Sequence, residues 1–312
     1  MKPRALAFLV CPACMSELDM AADSWDGNEV LEGRLSCRQC DLRYPIRAGV
    51  PRFVPDGAYA SSFGYQWNAF REVQLDSRNG TSQSADTLDG TVGWTKEKYR
   101  GRLVLDAGVG AGRFAEVVTA RGGEVVGLDL TEAVDAAFHN LGRHEGVHLV
   151  QADIFAMPFR DETFDLSYSI GVLHHTPDPR LAFRRVATTV KKGGDLAVYL
   201  YAGYWLGNHF SDVVRTLTTR LPLGLMRSLS TVAIPLYFLY RVPGIGRAFQ
   251  TVCPISMHRD WRWRWLDTFD WYTPKYQWKL LYPEVFRWFR ENGCLDIEVF
   301  DDAIRMRGTK TA

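Results

Sequence analysis

The chain has 312 residues, 46% of them hydrophobic and 23% charged, which excludes intrinsic disorder and predicts one large domain with a smaller companion. A formal net charge of +1 leaves no overall electrostatic bias toward nucleic acid. The average conceals an asymmetry: from Gly203 to Arg290 twelve Arg or Lys stand against five Asp or Glu, a local excess of +7 that leaves the remainder at −6.

At the N-terminus, the apolar run Ala5 to Val10 is shorter than the ~7 to 15 residues of a signal-peptide core and runs straight into Cys11. Another uncharged stretch, Ser228 to Tyr240, falls short of the ~18 residues of a spanning helix and contains Pro235. A soluble cytoplasmic protein with no transmembrane segment is expected.

Cys11-Pro-Ala-Cys14 and Cys37-Arg-Gln-Cys40 are two close pairs that can present four thiolates in a tetrahedron to zinc. A disulfide framework is disfavoured without an export signal, and a thioredoxin-like motif needs only one such pair. With all four positions filled by Cys, none is open to water, so the Zn2+ is predicted to be structural. Cys253 and Cys294 read as buried small hydrophobes. Through Cys11-Pro12, Leu35 to Cys40 and Tyr44-Pro-Ile-Arg-Ala-Gly-Val-Pro51, the segment from Cys11 to Pro55 resembles the zinc-ribbon peptides that accompany tRNA and translation-factor methyltransferases. The resemblance implies a docking role for a ribbon spanning residues 1–55.

Residues 56–100 read as a linker and N-terminal helical cap, with a linker-like run rich in Ser, Thr, Gly and Asp from Asp76 to Gly93. Strand and helix signals then alternate. Arg102 to Asp106 is a short strand ending in an acid; Ala107-Gly-Val-Gly-Ala-Gly112 follows, then an amphipathic helix from Arg113 to about Ala120. Glycines permit close backbone approach, and the helix start offers unpaired amides to a ligand. The dinucleotide fingerprint G-x-G-x-x-G is not met, because Arg113 stands where its third glycine would fall. The second strand, Glu124 to Asp129, ends in a carboxylate placed to accept from both hydroxyls of a ribose, or alternatively to cap a helix beginning near Thr131. The third runs from Val147 to Asp153, and the fourth, Phe164 to Ser169, leads into Ile170-Gly-Val-Leu-His-His-Thr-Pro-Asp-Pro179. A helix carrying Leu181, Phe183 and Val186 is ended by Lys191-Lys-Gly-Gly194, before a strand from Leu196 to Leu200.

Asp-Ala-Gly-x-Gly-x-Gly, Gly-Leu-Asp, Gln-Ala-Asp, Gly-Val-Leu-His-His-x-Pro-Asp-Pro and Lys-Lys-Gly-Gly, in that order, resemble the class I S-adenosylmethionine-dependent methyltransferases over roughly Leu103 to Tyr201. The resemblance implies an α/β fold: a doubly wound, seven-stranded methyltransferase (Rossmann-like) sheet, here with a small N-terminal zinc ribbon and a helical insertion after the fifth strand. It divides the rest of the chain into a cofactor-binding core at 101–202, an insertion or substrate cap at 203–279, and a last helix and antiparallel hairpin at 280–312. The hairpin is expected from Leu295 to Phe300 and from Ala303 to Arg307, after a helix from Pro283 to Asn292.

The cofactor implied is S-adenosyl-L-methionine, held by Asp106, Gly108, Gly110, Gly112, Asp129, Leu130, Asp153, Ile154 and Ile170. Asp153 is placed to accept from the adenine amine beside Ile154 and Phe155, and Gln66 and Trp67 to fold over the site. The sulfonium cofactor carries its own leaving group, so the protein mainly aligns a nucleophile, and a general base is needed only for a protonated acceptor. His174 is the catalytic candidate, with Gly171 allowing close approach; alternatively His174 and His175 brace the loop by hydrogen bonds to backbone and Asp178.

The insertion begins with Arg215, Arg220, Arg227, Arg241 and Arg247 among apolar residues, suited to a lid, a peripheral membrane contact or a packed helical cap. Its second part and the helix beyond hold six of the ten tryptophans, and Asp267 to Trp278 resembles a segment of uncharacterised family members from bacterial biosynthetic clusters. Arg262 and Arg264 alternate with aromatics as base-stacking residues do, although core packing is the cheaper explanation. The expected acceptor is a small molecule, sugar-linked or lipid-like. The alternatives are an RNA methyltransferase that holds nucleic acid on the ribbon and aromatic segment, and an inactive zinc-ribbon interaction protein. The RNA alternative lacks the Asn-Pro-Pro-Tyr type of motif, since Ser169-Ile-Gly-Val stands there.

Overall fold

The computed structural model describes residues 1–54, 61–204, 207–301 and 303–311. It forms two compact units, Met1–Tyr201 with Trp278–Ala312, and Ala202–Gln277. The ribbon boundary expected at 55/56 lies outside the described residues.

The first unit opens with the ribbon: β1 (Leu18–Asp26) and β2 (Glu29–Cys37) pair as a hairpin, followed by β3 (Arg43–Arg47) and β4 (Val50–Pro51) in the order β1-β2-β3-β4. The hairpin turns at Gly27, whose φ of 58 suits a residue without a Cβ. The ribbon docks on the sheet of its own chain. Arg52 bridges to Gln151 in parallel, Phe53 N donates to Gln151 O at 2.8 Å, and Val10 N donates to Pro158 O at 2.9 Å.

Three helices follow, α1 (Ser61–Ala69), α2 (Asp76–Asn79) and α3 (Gln83–Val92). The run from Asp76 to Gly93, expected as linker, is therefore largely helical. Its small polar residues are caps and stops: the Asp76 carboxylate accepts from Ser84 N and Ala85 N at 3.0 and 2.9 Å, and Gly80 and Gly93 end the helices at φ 69 and 58.

The core then alternates β5 (Leu103–Ala107), α4 (Arg113–Ala120), β6 (Glu124–Asp129), α5 (Ala133–Leu141), β7 (Val147–Gln151), β8 (Phe164–Ile170), α6 (Pro179–Thr189) and β9 (Val190–Leu200). Lys191 to Gly194, expected to stop the helix, lie inside β9 as a bulge, because Phe164 pairs with Val190 while Leu166 pairs with Asp195. The second unit holds α7 (Gly207–Thr218), α8 (Leu223–Thr231), α9 (Ala233–Tyr240), α10 (Ile245–Val252) and α11 (Trp261–Tyr272). The chain returns to the sheet with α12 (Tyr282–Glu291), β10 (Cys294–Phe300) and β11 (Ile304–Lys310).

The sheet has seven strands in the order β10-β11-β9-β8-β5-β6-β7, parallel except where β11 joins β9 and β10 joins β11. The fold is the predicted one. β5 lies between β6 and β8, so the connections diverge on either side of it and open a crevice at the carboxyl ends of the strands. At the far side the ribbon meets the end of β7 at Gln151, whose carbonyl accepts from Phe53 N.

In the second unit α8 and α9 run on through Val232, which keeps helical angles, to make one helix from Leu223 to Tyr240. Its 18 residues have a mean hydropathy of 1.3, long and apolar enough by length and composition to cross a membrane. The helix is longer than the uncharged run from Ser228 to Tyr240, because it begins five residues earlier and includes Arg227. Pro235 lies inside this helix, just past the α8–α9 junction at Val232, and removes one backbone donor there.

Candidate functional site

The glycine loop closes the carboxyl end of β5. Gly108, Gly110 and Gly112 have φ of 100, 53 and 92, and a Cβ on Gly108 would fall 2.2 Å from Val172 Cγ2. Val172 comes from the loop after β8, so only glycine lets the two loops approach this closely. The loop is pinned to β6 by Gly108 N and Val109 N, which donate to Leu128 O at 2.7 and 2.9 Å.

The Asp129 carboxylate faces this loop, half-buried, accepting from Gly110 N at 3.0 Å on one oxygen and from Thr131 N and Oγ1 at 2.9 and 2.8 Å on the other. The helix start falls to Thr131, whose Oγ1 accepts from Ala133 N at 3.1 Å. An ionised carboxylate has about four lone-pair positions, so capacity remains for a hydroxyl donor. Leu130 lies beside it, with Gln151 Nε2 donating to its carbonyl at 3.1 Å. Asp153 is half-buried and caps the turn Ile154–Ala156 by accepting from Phe155 N at 3.0 Å. Ile154 and Ile170 are buried, and a Cβ on Gly171 would meet nothing within 4 Å. Gln66 is buried on α1, and the Trp67 indole lies over the loop, 3.3 Å from where a Cβ on Gly110 would stand.

Asp106 is placed differently. Its carboxyl points into the core below the loop, where Tyr168 Oη donates to it at 2.9 Å. Burial pushes its pKa up to about 7; the Tyr168 hydrogen bond opposes this and neighbouring Asp129 adds to it. Tyr168 escaped the sequence reasoning, although its alternation with Phe164, Leu166 and Ile170 marks one strand face and its register partner is Asp106.

His174 lies in the short turn after β8 and is completely buried. Its ring stacks on Tyr201 at 3.9 Å and touches that of His175 at 4.2 Å. Among the described residues, neither ring nitrogen of His174 has a hydrogen-bond partner. The alternative in which it braces the loop through Asp178 does not hold, since the Asp178 carboxylate instead accepts from Leu181 N and caps α6. Burial, aided by His175 and Lys279, holds the imidazole well below its ordinary pKa, so it is neutral. The turn is fixed from the returning chain: Trp278 N donates to His174 O at 2.8 Å and its indole to Thr176 O at 3.0 Å.

At the other end of this unit the thiols of Cys11, Cys14, Cys37 and Cys40 lie within 4.8 Å of one another. The pairs Cys11–Cys40, Cys14–Cys37 and Cys14–Cys40 stand at 3.6, 3.4 and 3.6 Å. Four sulfurs around zinc at 2.3 Å stand about 3.8 Å apart, so the donor set fits. Gln39 N and Cys40 N point at the Cys37 sulfur, as suits a thiolate that needs donors.

In the second unit the alternating Arg and Trp form core. Trp263, Arg264 and Trp265 are buried on α11, with the Arg264 guanidinium 3.7 Å from the Tyr237 ring centroid and bonded to His258 O and Arg259 O at 2.8 and 3.1 Å. Of the residues suggested for base stacking, only Trp261 and Arg262 are exposed.

Two family models match the chain: a methyltransferase domain over residues 105–198, and a Trm112p-like protein over residues 2–49. Among curated proteins, it is 32% identical over 118 residues to "Probable tRNA methyltransferase 9B" of Homo sapiens, covering 37% of this chain and 25% of that protein. It is 34% identical over 112 residues to a ubiquinone biosynthesis O-methyltransferase of Pseudomonas fluorescens, covering 34% and 47%. The chain thus spans from a quarter to about half the length of these curated relatives. A solved S-adenosylmethionine-dependent methyltransferase from Mesorhizobium loti is 28% identical, with a TM-score of 0.32 over 35% of this chain and 51% of that one. A chain from a Haloferax volcanii complex containing the Trm112 methyltransferase activator is 13% identical, with a TM-score of 0.48 over 82% of this chain and 100% of that one.

Proposed function

We propose that this chain, in which a Trm112-like zinc ribbon and a class I methyltransferase domain are joined in one polypeptide, transfers a methyl group from S-adenosylmethionine to a small, lipid-like acceptor. The observation that carries the methyl-transfer reading is the half-buried Asp129 carboxylate against the Gly110 amide, at the strand ends where the sheet order diverges. Asp129 would take the ribose hydroxyls, Asp153 the adenine amine beside Ile154, and the open space at Gly171 the methionine end. When bound, the sulfonium cofactor supplies an electrophilic methyl group. The chain's own part is to hold the nucleoside by these carboxylates and to align the acceptor. His174 is neutral, with no partner on either ring nitrogen among the described residues, and would serve as base toward an acceptor hydroxyl only where the acceptor displaces the buried stack on Tyr201 and so exposes the ring.

The choice of acceptor is supported by the burial of Trp263, Arg264 and Trp265, which removes most of a base-stacking surface, and by the apolar exposed surface of the inserted unit. The relative named for ubiquinone biosynthesis agrees with it; the relative named for tRNA points the other way. The test is to give the purified chain methyl-labelled S-adenosylmethionine with a lipid extract and, separately, with total RNA. Label is expected in the lipid fraction, and label in RNA alone overturns the acceptor. Asp129→Ala is expected to weaken cofactor binding by about 10²-fold, since it removes hydrogen bonds to a charged group; unchanged affinity by calorimetry overturns the cofactor site.

A further inference from the structure

We propose that the inserted unit, residues 202–277, carries a membrane-docking face built on the helix from Leu223 to Tyr240, and that its occupant is the surface of an anionic bilayer. The helix has a buried stripe and an exposed apolar one. Met226, Ser230, Ala233 and Tyr240, at i, i+4, i+7 and i+14, are 3, 4, 2 and 6% exposed and face the unit's interior. Leu225, Leu229, Val232 and Leu239 repeat that spacing one residue earlier, about 100° round the helix, and are 47, 45, 48 and 39% exposed. Phe238, at 70%, is exposed on the far flank of the helix, and Val242, at 41%, is exposed just past its end. A core helix of this composition is mostly buried; this one is 22% buried.

The inner stripe is held in place. Trp265 Nε1 donates to Arg227 O at 3.2 Å, and Arg264 donates to Ile234 O at 3.3 Å while lying on the Tyr237 ring. Spanning a membrane would break these contacts, whereas lying in the interface keeps them and covers only the outer stripe. Charge selects the occupant. No Asp or Glu occurs between Asp212 and Asp260, and residues 202–277 hold nine Lys or Arg against four Asp. Exposed Arg220 precedes the helix and exposed Arg241 follows it directly, so cations stand at both ends of the apolar stripe, as anionic headgroups require. Trp261, 48% exposed, adds an amphipathic ring beside Arg262, 5.5 Å away. A second copy docked on the same face would bring an acid-free surface against its like.

This inference stands independently of the methyl-transfer reading. The full chain is mixed with vesicles of phosphatidylcholine alone, or with phosphatidylglycerol at about two to one, and its partition is read by flotation. Binding to the mixed vesicles is expected at least about tenfold above the neutral ones and to fall with salt. Leu225→Glu with Leu229→Glu is expected to lower partition at least about tenfold with an unchanged thermal melt, both side chains being exposed. Three results overturn the proposal: no partition into either vesicle, equal partition of the double variant, or a parent dimer that the double variant turns into monomer. Vesicle binding without S-adenosylmethionine binding breaks the methyl-transfer reading alone, and the converse breaks this one alone.

Discussion

The sheet unit and the inserted unit handle their awkward residues in opposite ways. In the sheet unit the buried polar groups sit at strand ends and in turns, such as Asp106 on Tyr168, Asp129 on Gly110 and Thr131, and the thiols of the ribbon, where a ligand or metal would make use of them. In the inserted unit the buried cations Arg215 and Arg264 are spent on backbone carbonyls, Arg215 donating to Trp271 O and Pro274 O at 2.7 and 2.6 Å, and the awkward residues are apolar ones left outside. Chemistry is concentrated in the first and surface recognition in the second.

The largest effect that sharpens this contrast is expected in the ribbon. Four strands bury few apolar side chains, chiefly Val30, Leu35, Ile46 and Val50, a core too small to stand without a staple. Cys37→Ser, or chelation, is expected to remove the metal and with it on the order of 10 kcal/mol of ribbon stability. Metal analysis together with hydrogen exchange of β1 to β4 checks this, and full protection without metal breaks it. Next in size is Arg264→Met, which strands the carbonyls that Arg264 satisfies and is expected to cost about 2 to 4 kcal/mol. The loss should appear as faster exchange across Leu223 to Tyr240 with β5 to β8 unchanged, and melting of both units together would break the comparison. His174→Phe is smaller in stability and decisive for function. It keeps a ring to stack on Tyr201 and removes the two unpartnered nitrogens, so the melting temperature should hold or rise, while methyl transfer should fall about 10²-fold if the ring takes the acceptor's proton. An unchanged rate leaves His174 a packing residue.

Much of the sheet unit was legible because its elements carry local signals. Strand β6 was read at its observed bounds, since Glu124 to Asp129 is apolar between charged ends, and the Cys pairs carry their own geometry. The run from Asp76 to Gly93 was misread because caps and linkers use the same residues, and only the bond from Asp76 to the amides of Ser84 and Ala85 distinguishes them. The partners of His174 were misread for a related reason: sequence proximity suggested Asp178, but burial left the ring on Tyr201, a residue 27 positions away. The acceptor stayed illegible because the inserted unit has no motif, only a pattern of exposure that emerges once α8 and α9 join into one helix.

The last of these effects has the clearest sign. Folding raises the Asp106 pKa from the ordinary carboxylate value of about 3.9 to about 7. Below about pH 4 both folded and unfolded chains hold the proton, and the group adds nothing to the pH dependence. Between about pH 4 and pH 7 the folded chain keeps a proton that the unfolded chain has released, so stability falls as pH rises, and it levels off once both are ionised. Asp106→Asn keeps an oxygen for the Tyr168 hydroxyl and removes the charge. Relative to the parent it should be about equal in stability at pH 4 and more stable at pH 8, with a flatter profile between, read from denaturant midpoints across the range. A parent profile that stays just as steep in the variant would place the titrating group elsewhere. Loss of S-adenosylmethionine affinity in the same variant would return Asp106 to the binding site itself, and unchanged affinity would keep it as the brace beneath the loop that the Tyr168 contact describes.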